Sequence, residues 1–115
     1  MTTRRMLLYD IPDDHQLIHQ YLDEIRQTHS ELSPNVVVDH LKEVANHGRF
    51  STGCRPMGED LWALDVPFGY GGVARILFFE TPKGDYMAVH SFTIDSGADA
   101  DRGFSIASER KRDLM

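Results

Sequence analysis

Residues 60–94 read DLWALDVPFGYGGVARILFFETPKGDYMAVHSFTI, three runs rich in aliphatic, β-branched and aromatic residues separated by two turn-forming clusters. No other feature of the chain constrains its fold so strongly. Runs of this length, bounded by glycine, proline and aspartate, form strands, and the connections PFGYGG and TPKGD suit tight reversals. The spacing predicts strands at about 61–66, 73–80 and 86–94 in an antiparallel meander. Arg75 stands alone in the apolar second run. A guanidinium there needs a partner, either a carboxylate at the sheet surface, Asp65 or Glu80, or an anionic ligand.

Around the meander the apolar period changes. Residues 5–9 (RMLLY) are short and apolar and form a strand, ended by DIPDD. From Asp13 to about Thr28, Ile18, Tyr21, Leu22 and Ile25 line one side of a helix, with Asp13 or Asp14 as its cap. Ser33 and Pro34 then open a second helix, with Val37, Leu41, Val44 and Ala45 on its apolar face and Gly48 as C-cap. The two helices form a hairpin. RFSTGCRPMGED is polar and turn-rich. After the meander, Phe104, Ala107 and Leu114 mark a closing helix over residues 98–114, acidic at its start and basic at its end, an order that suits the helix dipole. The predicted order is β-α-α-β-β-β-α, an α+β domain whose helices cover one face of a small antiparallel sheet.

The chain has 115 residues, the length of a single domain over residues 1–115, with no repeat or linker-like stretch. No apolar run approaches the roughly 18 residues of a membrane span, and MTTRRMLLYDIPDD does not read as a signal peptide, so a cytoplasmic location is the default expectation. Cys54 is the sole cysteine, which excludes an internal disulfide and a cysteine-based metal cluster. A net charge of −6, from 12 basic and 18 acidic residues, argues against broad electrostatic capture of nucleic acid, so any RNA contact is local.

Four segments in order resemble the RelE/HigB toxin superfamily, in particular its phage-derived HigB-like branch. RPMGEDLW resembles the family's Lys-Pro-Leu-Gly-Asp-Gly-Leu-Tyr/Trp, with Arg55 at a usually basic position. GGVARILFFE resembles its Gly-Arg-Ile/Val-Leu-Tyr/Phe strand, with Arg75 at the usual arginine, and AVHSF resembles the Leu-Leu-His-Gly-Phe strand, with His90 and Phe92 in register. DRGFSIASERKRDL resembles the closing helix. The resemblance covers nearly the whole chain. It implies a RelE-like, microbial-RNase-like fold and the toxin of a type II toxin–antitoxin system, a metal-independent endoribonuclease (mRNA interferase) that cuts messenger RNA on the ribosome. The implied partner is an antitoxin, commonly a helix-turn-helix protein. No cofactor is expected, and a homodimer is allowed.

The chain also departs from that pattern. Where the family reads Glu-Leu-Arg after Leu-Trp, this chain has Ala63, Leu64 and Asp65, and where the branch carries lysines after the His-x-Phe, it has Thr93, Ile94, Asp95 and Ser96. Cations that face phosphate in the family are therefore replaced, and one becomes an acid.

Metal-independent RNA cleavage needs a base for the 2′-hydroxyl, cations for the charge developing on the phosphate and an acid for the leaving oxygen. The catalytic candidates are Arg75, whose guanidinium can grip two phosphate oxygens, His90, with a suitable pKa range, and Arg55 in the loop before the sheet. Against these stand an Arg75–carboxylate pair, a satisfied core histidine and a solvated arginine. The RNA-binding candidates are Tyr70, by stacking, and the basic helix end with Arg102, Arg110, Lys111 and Arg112; the alternatives are a tyrosine covering the core edge and a solvated helix end.

His15 and His19 share one helix side, as do His40 and His47, and Asp23 or Asp39 would have to complete a metal site; no His-Glu-x-x-His is present. Nothing marks Cys54 as a nucleophile. Two functions of different class follow: a toxin with ribonuclease activity, possessed of full or weakened chemistry, and a catalytically silent protein-binding module. A metal-dependent hydrolase is a distant third.

Overall fold

The structure, a computed structural model, describes residues 6–8, 34–48, 53–68, 72–94 and 97–114. Strand β1 (Met6–Leu8) is followed by helix α1 (Pro34–His47), β2 (Cys54–Gly58), β3 (Leu61–Phe68), β4 (Gly72–Glu80), β5 (Tyr86–Ile94) and helix α2 (Gly97–Leu114). The expected first helix of the hairpin, and the PFGYGG turn with Tyr70, lie outside the described residues.

The meander forms as its sequence predicts, with β3–β4 and β4–β5 antiparallel. Two expectations are corrected. The sheet is mixed, because β1 joins the outer side of β5 in parallel and the strand order is β1-β5-β4-β3-β2. The polar stretch before the meander also contributes a strand: Cys54–Gly58 pairs antiparallel with β3, so Arg55 sits on an edge strand and not in a loop. Proline and glycine in CRPMG read as turn residues, yet an edge strand tolerates Pro56 because its outer hydrogen-bonding side has no ladder to break. Pro67 is accommodated similarly. The backbone contact from Gly53 O to Asp65 N, 2.9 Å, closes the β2 side of β3, and Pro67 lies beyond it.

The described helices lie on opposite faces of the sheet, which beyond those two corrections also departs from the expected one-sided layer. Alternation explains it, since a strand in the middle of a sheet that is apolar at both odd and even positions has two faces to bury. Val37, Leu41 and Val44 of α1 pack with Leu64, Val66, Ala74, Ile76, Phe78, Tyr86 and Ala88. Ala107 of α2 packs on the other face with Leu61, Ala63, Leu77, Phe79 and Val89, flanked by Phe92 and Phe104. Gly48 ends α1 as expected: at φ 89° it occupies the left-handed region, and its N–H donates to Val44 O at 2.8 Å.

Candidate functional site

The catalytic candidates come together on the α2 face through a β-bulge. Leu77 pairs with His90 and Phe78 with Ala88, so Val89 is an extra residue in β5. Side chains alternate faces along a strand, and one inserted residue reverses every position beyond it. Without the bulge, His90 and Phe92 would face α1. With it, Asp65, Arg75 and Phe92 form one cross-strand row, and Arg55, Ala63, Leu77 and His90 form the next. Arg75 and His90 are diagonal neighbours on one face.

Arg75 is 5% exposed, and its guanidinium is committed to Asp65. Nε donates to Asp65 Oδ1 at 2.8 Å and Nη2 to Oδ2 at 3.0 Å, a two-pronged clamp. Of the two carboxylate partners open in the sequence, the directly opposite Asp65 is the one taken. Arg55 approaches the same carboxylate from the edge strand, Nη2 to Oδ2 at 3.0 Å, with 57% of its side chain exposed. One carboxylate thus lies between two guanidiniums.

His90 is held differently. Its ring stacks on Phe92, with centroids 5.1 Å apart and planes 21° from parallel. Arg110 on α2 donates from Nη1 to Val89 O at 2.7 Å and lies 3.2 Å from His90 Nδ1. Arginine can only donate, so Nδ1 accepts and the neutral ring carries its proton on Nε2. Burial, then the nearby Arg110 charge, pushes the His90 pKa from 6.5 down to about 4. At neutral pH the ring is therefore uncharged, with Nδ1 engaged by Arg110 and Nε2 protonated, so in this arrangement neither ring nitrogen is free to take up a proton.

The basic end of α2 is largely turned inward. Arg110 caps the bulge, and Lys111 donates to Glu59 O and lies 5.8 Å from the centre of the Phe79 ring. Ser108 donates to the Glu59 carboxylate. Arg102 and Arg112 remain exposed. Of the RNA-binding candidates, Arg110 thus has a structural task, Arg102 is exposed on α2, and Tyr70 lies outside the described residues.

Cys54 is no activated thiol: burial and then the Asp65 charge push its pKa up to about 11. Among the described residues, no three His, Cys, Asp or Glu side chains gather at a metal-binding distance. His40 and His47 are on α1, where His47 lies 3.6 Å from Glu43, while His15, His19 and Asp23 fall outside the description.

Sequence reasoning placed Asp65, Arg75 and His90 but missed what orders them, namely the bulge at Val89 and the contact between Phe92 and Gly103. Gly103 inside a helix-forming run was the available signal, since such a glycine often marks a close approach. Compared with known proteins, the sequence matches no family profile and no curated protein.

Proposed function

We propose that the chain is a divergent RelE/HigB-like toxin component of a type II toxin–antitoxin pair, with weakened ribosome-dependent messenger RNA cleavage and a helix-turn-helix antitoxin as its principal partner. Support comes from the four ordered sequence resemblances, three of them lying on β2–β3, β4 and β5 and the fourth on α2. The weakening rests on a single observation: Asp65 occupies the guanidiniums of both Arg55 and Arg75. Cations that share a carboxylate stabilise the charge of a cleavage transition state less than free ones do. In this reading Arg55 and Arg75 face the phosphate, and His90 takes the 2′-hydroxyl proton on Nδ1 once Arg110 swings away from that nitrogen.

Controlled expression of the chain and of Arg55→Gln, with growth and messenger RNA integrity followed, tests the reading. Slow growth arrest and cleavage that Arg55→Gln reduces are expected. An inert chain at high expression sinks the enzymatic part.

The second reading, a catalytically silent protein-binding module, is favoured by the same Asp65 contacts together with the uncharged, Arg110-held His90. A ribosome or RNA complex whose affinity falls steeply with salt counts against it, because that dependence requires several phosphate contacts.

A further inference from the structure

We propose that Asp65 is a built-in plug in a phosphate-type oxyanion site whose fixed jaw is Arg75 and whose mobile jaw is Arg55. The inference deepens the reading above and rests on it for the natural occupant, a phosphodiester; the response to free phosphate rests on geometry alone.

Three observations carry it. Two guanidiniums face one carboxylate, so the cluster holds a surplus positive charge, and Arg75 is only 5% exposed. One carboxylate cannot balance two guanidiniums, whereas an occupant with more negative charge than a carboxylate can, even though Arg55 is partly exposed. Second, three nitrogens on two separate guanidinium groups converge on the two Asp65 oxygens, with Oδ2 shared by Arg75 Nη2 and Arg55 Nη2 at 3.0 Å each. A phosphate offers further oxygens, so each guanidinium can have its own. Among the described residues, the hydrogen bonds of Arg75 go to Asp65 alone, which leaves Nη1 available to such an ion.

The jaws also differ in freedom. Arg75 is pinned in a central strand, whereas Arg55, on the edge strand with 57% of its side chain exposed, can swing outward without uncovering the core. The plug is a single side chain on β3, so entry of an anion requires Asp65 to turn aside and no rearrangement of the sheet. Phe92, directly opposite Arg75, forms an aromatic wall beside the site.

The test is chemical rescue. Thermal unfolding of the unaltered chain, Asp65→Ala and Asp65→Ala/Arg55→Gln is measured in sodium phosphate and in sodium chloride of equal ionic strength. Asp65→Ala is expected to melt about 4 °C or more higher in phosphate than in chloride once phosphate exceeds its dissociation constant about tenfold, with no such difference in the unaltered chain and a smaller one in the double variant. Absence of a phosphate effect in Asp65→Ala overturns the proposal, as does an equal effect in the unaltered chain. Should Asp65→Ala not fold, Asp65→Asn keeps the shape and gives the same comparison with the same criteria. Acetate acting as well as phosphate overturns the phosphate preference, and a single-stranded RNA oligonucleotide without effect at equal phosphate concentration overturns the phosphodiester assignment. Growth arrest and messenger RNA cleavage are not read here, so the plug and the toxin reading fail separately.

Discussion

The ring of Phe92 lies against the backbone of Gly103: a Cβ built on that glycine would stand 2.2 Å from Phe92 Cε1 and Cζ and 2.8 Å from Cε2. The contact seats α2 on the sheet beside the Arg75 row, and the absent side chain is what allows it. The ring is braced by His90, so it cannot yield as a flexible side chain would.

Gly103→Ala therefore destabilises the domain, although alanine in a helix interior ordinarily gains about 1 kcal/mol over glycine. Overpacking costs about 1–3 kcal/mol, and set against that gain a net loss of up to about 2 kcal/mol is expected in urea unfolding. Combining it with Phe92→Leu, which removes the ring, should recover part of the loss. A Gly103→Ala variant as stable as the unaltered chain, or more so, would show that α2 does not sit this close.

The Asp65–Arg75 pair predicts an asymmetry. Removing the acid leaves a buried guanidinium without its clamp, whereas removing both charges leaves an apolar strand position. Breaking a buried pair costs about 3–5 kcal/mol, and partial exposure of Asp65 lowers the expectation for Asp65→Ala to about 2–3 kcal/mol. The double variant Asp65→Ala/Arg75→Met should lose less than Asp65→Ala alone. Equal or larger loss in the double variant, measured by denaturant unfolding, would mean the pair is not what limits stability here.

How much of this was legible in the sequence depends on the range of the interactions. The meander and the two described helices are local signals: apolar period, turn residues and caps fixed β3, β4, β5 and α1 to within a residue or two. Strand β2 was hidden because Pro56 and Gly58 carry turn character, and only its neighbour Ala63–Trp62 segment makes CRPMG extended. The parallel seat of β1 and the split of helices between faces are long-range choices that no local pattern states. The candidate site shows the same division. That Arg75 needs a partner followed from its apolar strand, but the choice of Asp65 over Glu80 came only with the β3–β4 register, and the face of His90 depended on one inserted residue, Val89, which alternation alone does not announce.

His90 makes stability pH-dependent. Its folded pKa of about 4 lies below its ordinary 6.5, so the unfolded chain binds a proton at a pH where the folded one does not. Above 6.5 both forms are neutral and no penalty exists. As pH falls from 6.5 towards 4 the unfolded state is increasingly favoured, and below about 4 the penalty is complete. Discounted for the partial exposure of the ring, the loss is about 2 kcal/mol. The difference in urea midpoint between the unaltered chain and His90→Gln should shrink or reverse between pH 7 and pH 4.5, and NMR titration should show a ring that stays neutral through pH 6. A His90 resonance titrating near 6.5 would remove the basis for this dependence.

Cys54 should be a slow thiol. A pKa near 11 against an ordinary 9.0 leaves about a hundredfold less thiolate at pH 7.5, and thiolate is the reacting form. Labelling by a disulfide reagent at pH 7.5 is expected to be about a hundredfold slower in the folded chain than in urea. Asp65→Asn, which removes the second cause of the rise, should speed it. Equal rates folded and unfolded would show an accessible, ordinary thiol.

The β2–β3 connection carries backbone strain that a substitution can relieve. Glu59 and Asp60 have φ of 53° and 62°, two consecutive non-glycine residues in the left-handed region, bridging Gly58 and Leu61 in a two-residue hairpin. That turn favours Asn-Gly because a Cβ in the left-handed region costs about 1–2 kcal/mol. Ser108 and Lys111 of α2 hold Glu59 from its side chain and its carbonyl, which offsets part of the cost and ties the turn to the helix. Asp60 contributes only a 3.9 Å approach to Lys111 from an almost fully exposed side chain, an interaction worth little. Asp60→Gly should therefore stabilise the domain by about 1 kcal/mol in urea unfolding, whereas Glu59→Gly, which forfeits the Ser108 contact, should gain less. If Asp60→Gly is destabilising, the turn is not strained at that residue and the hold of α2 on it has another purpose.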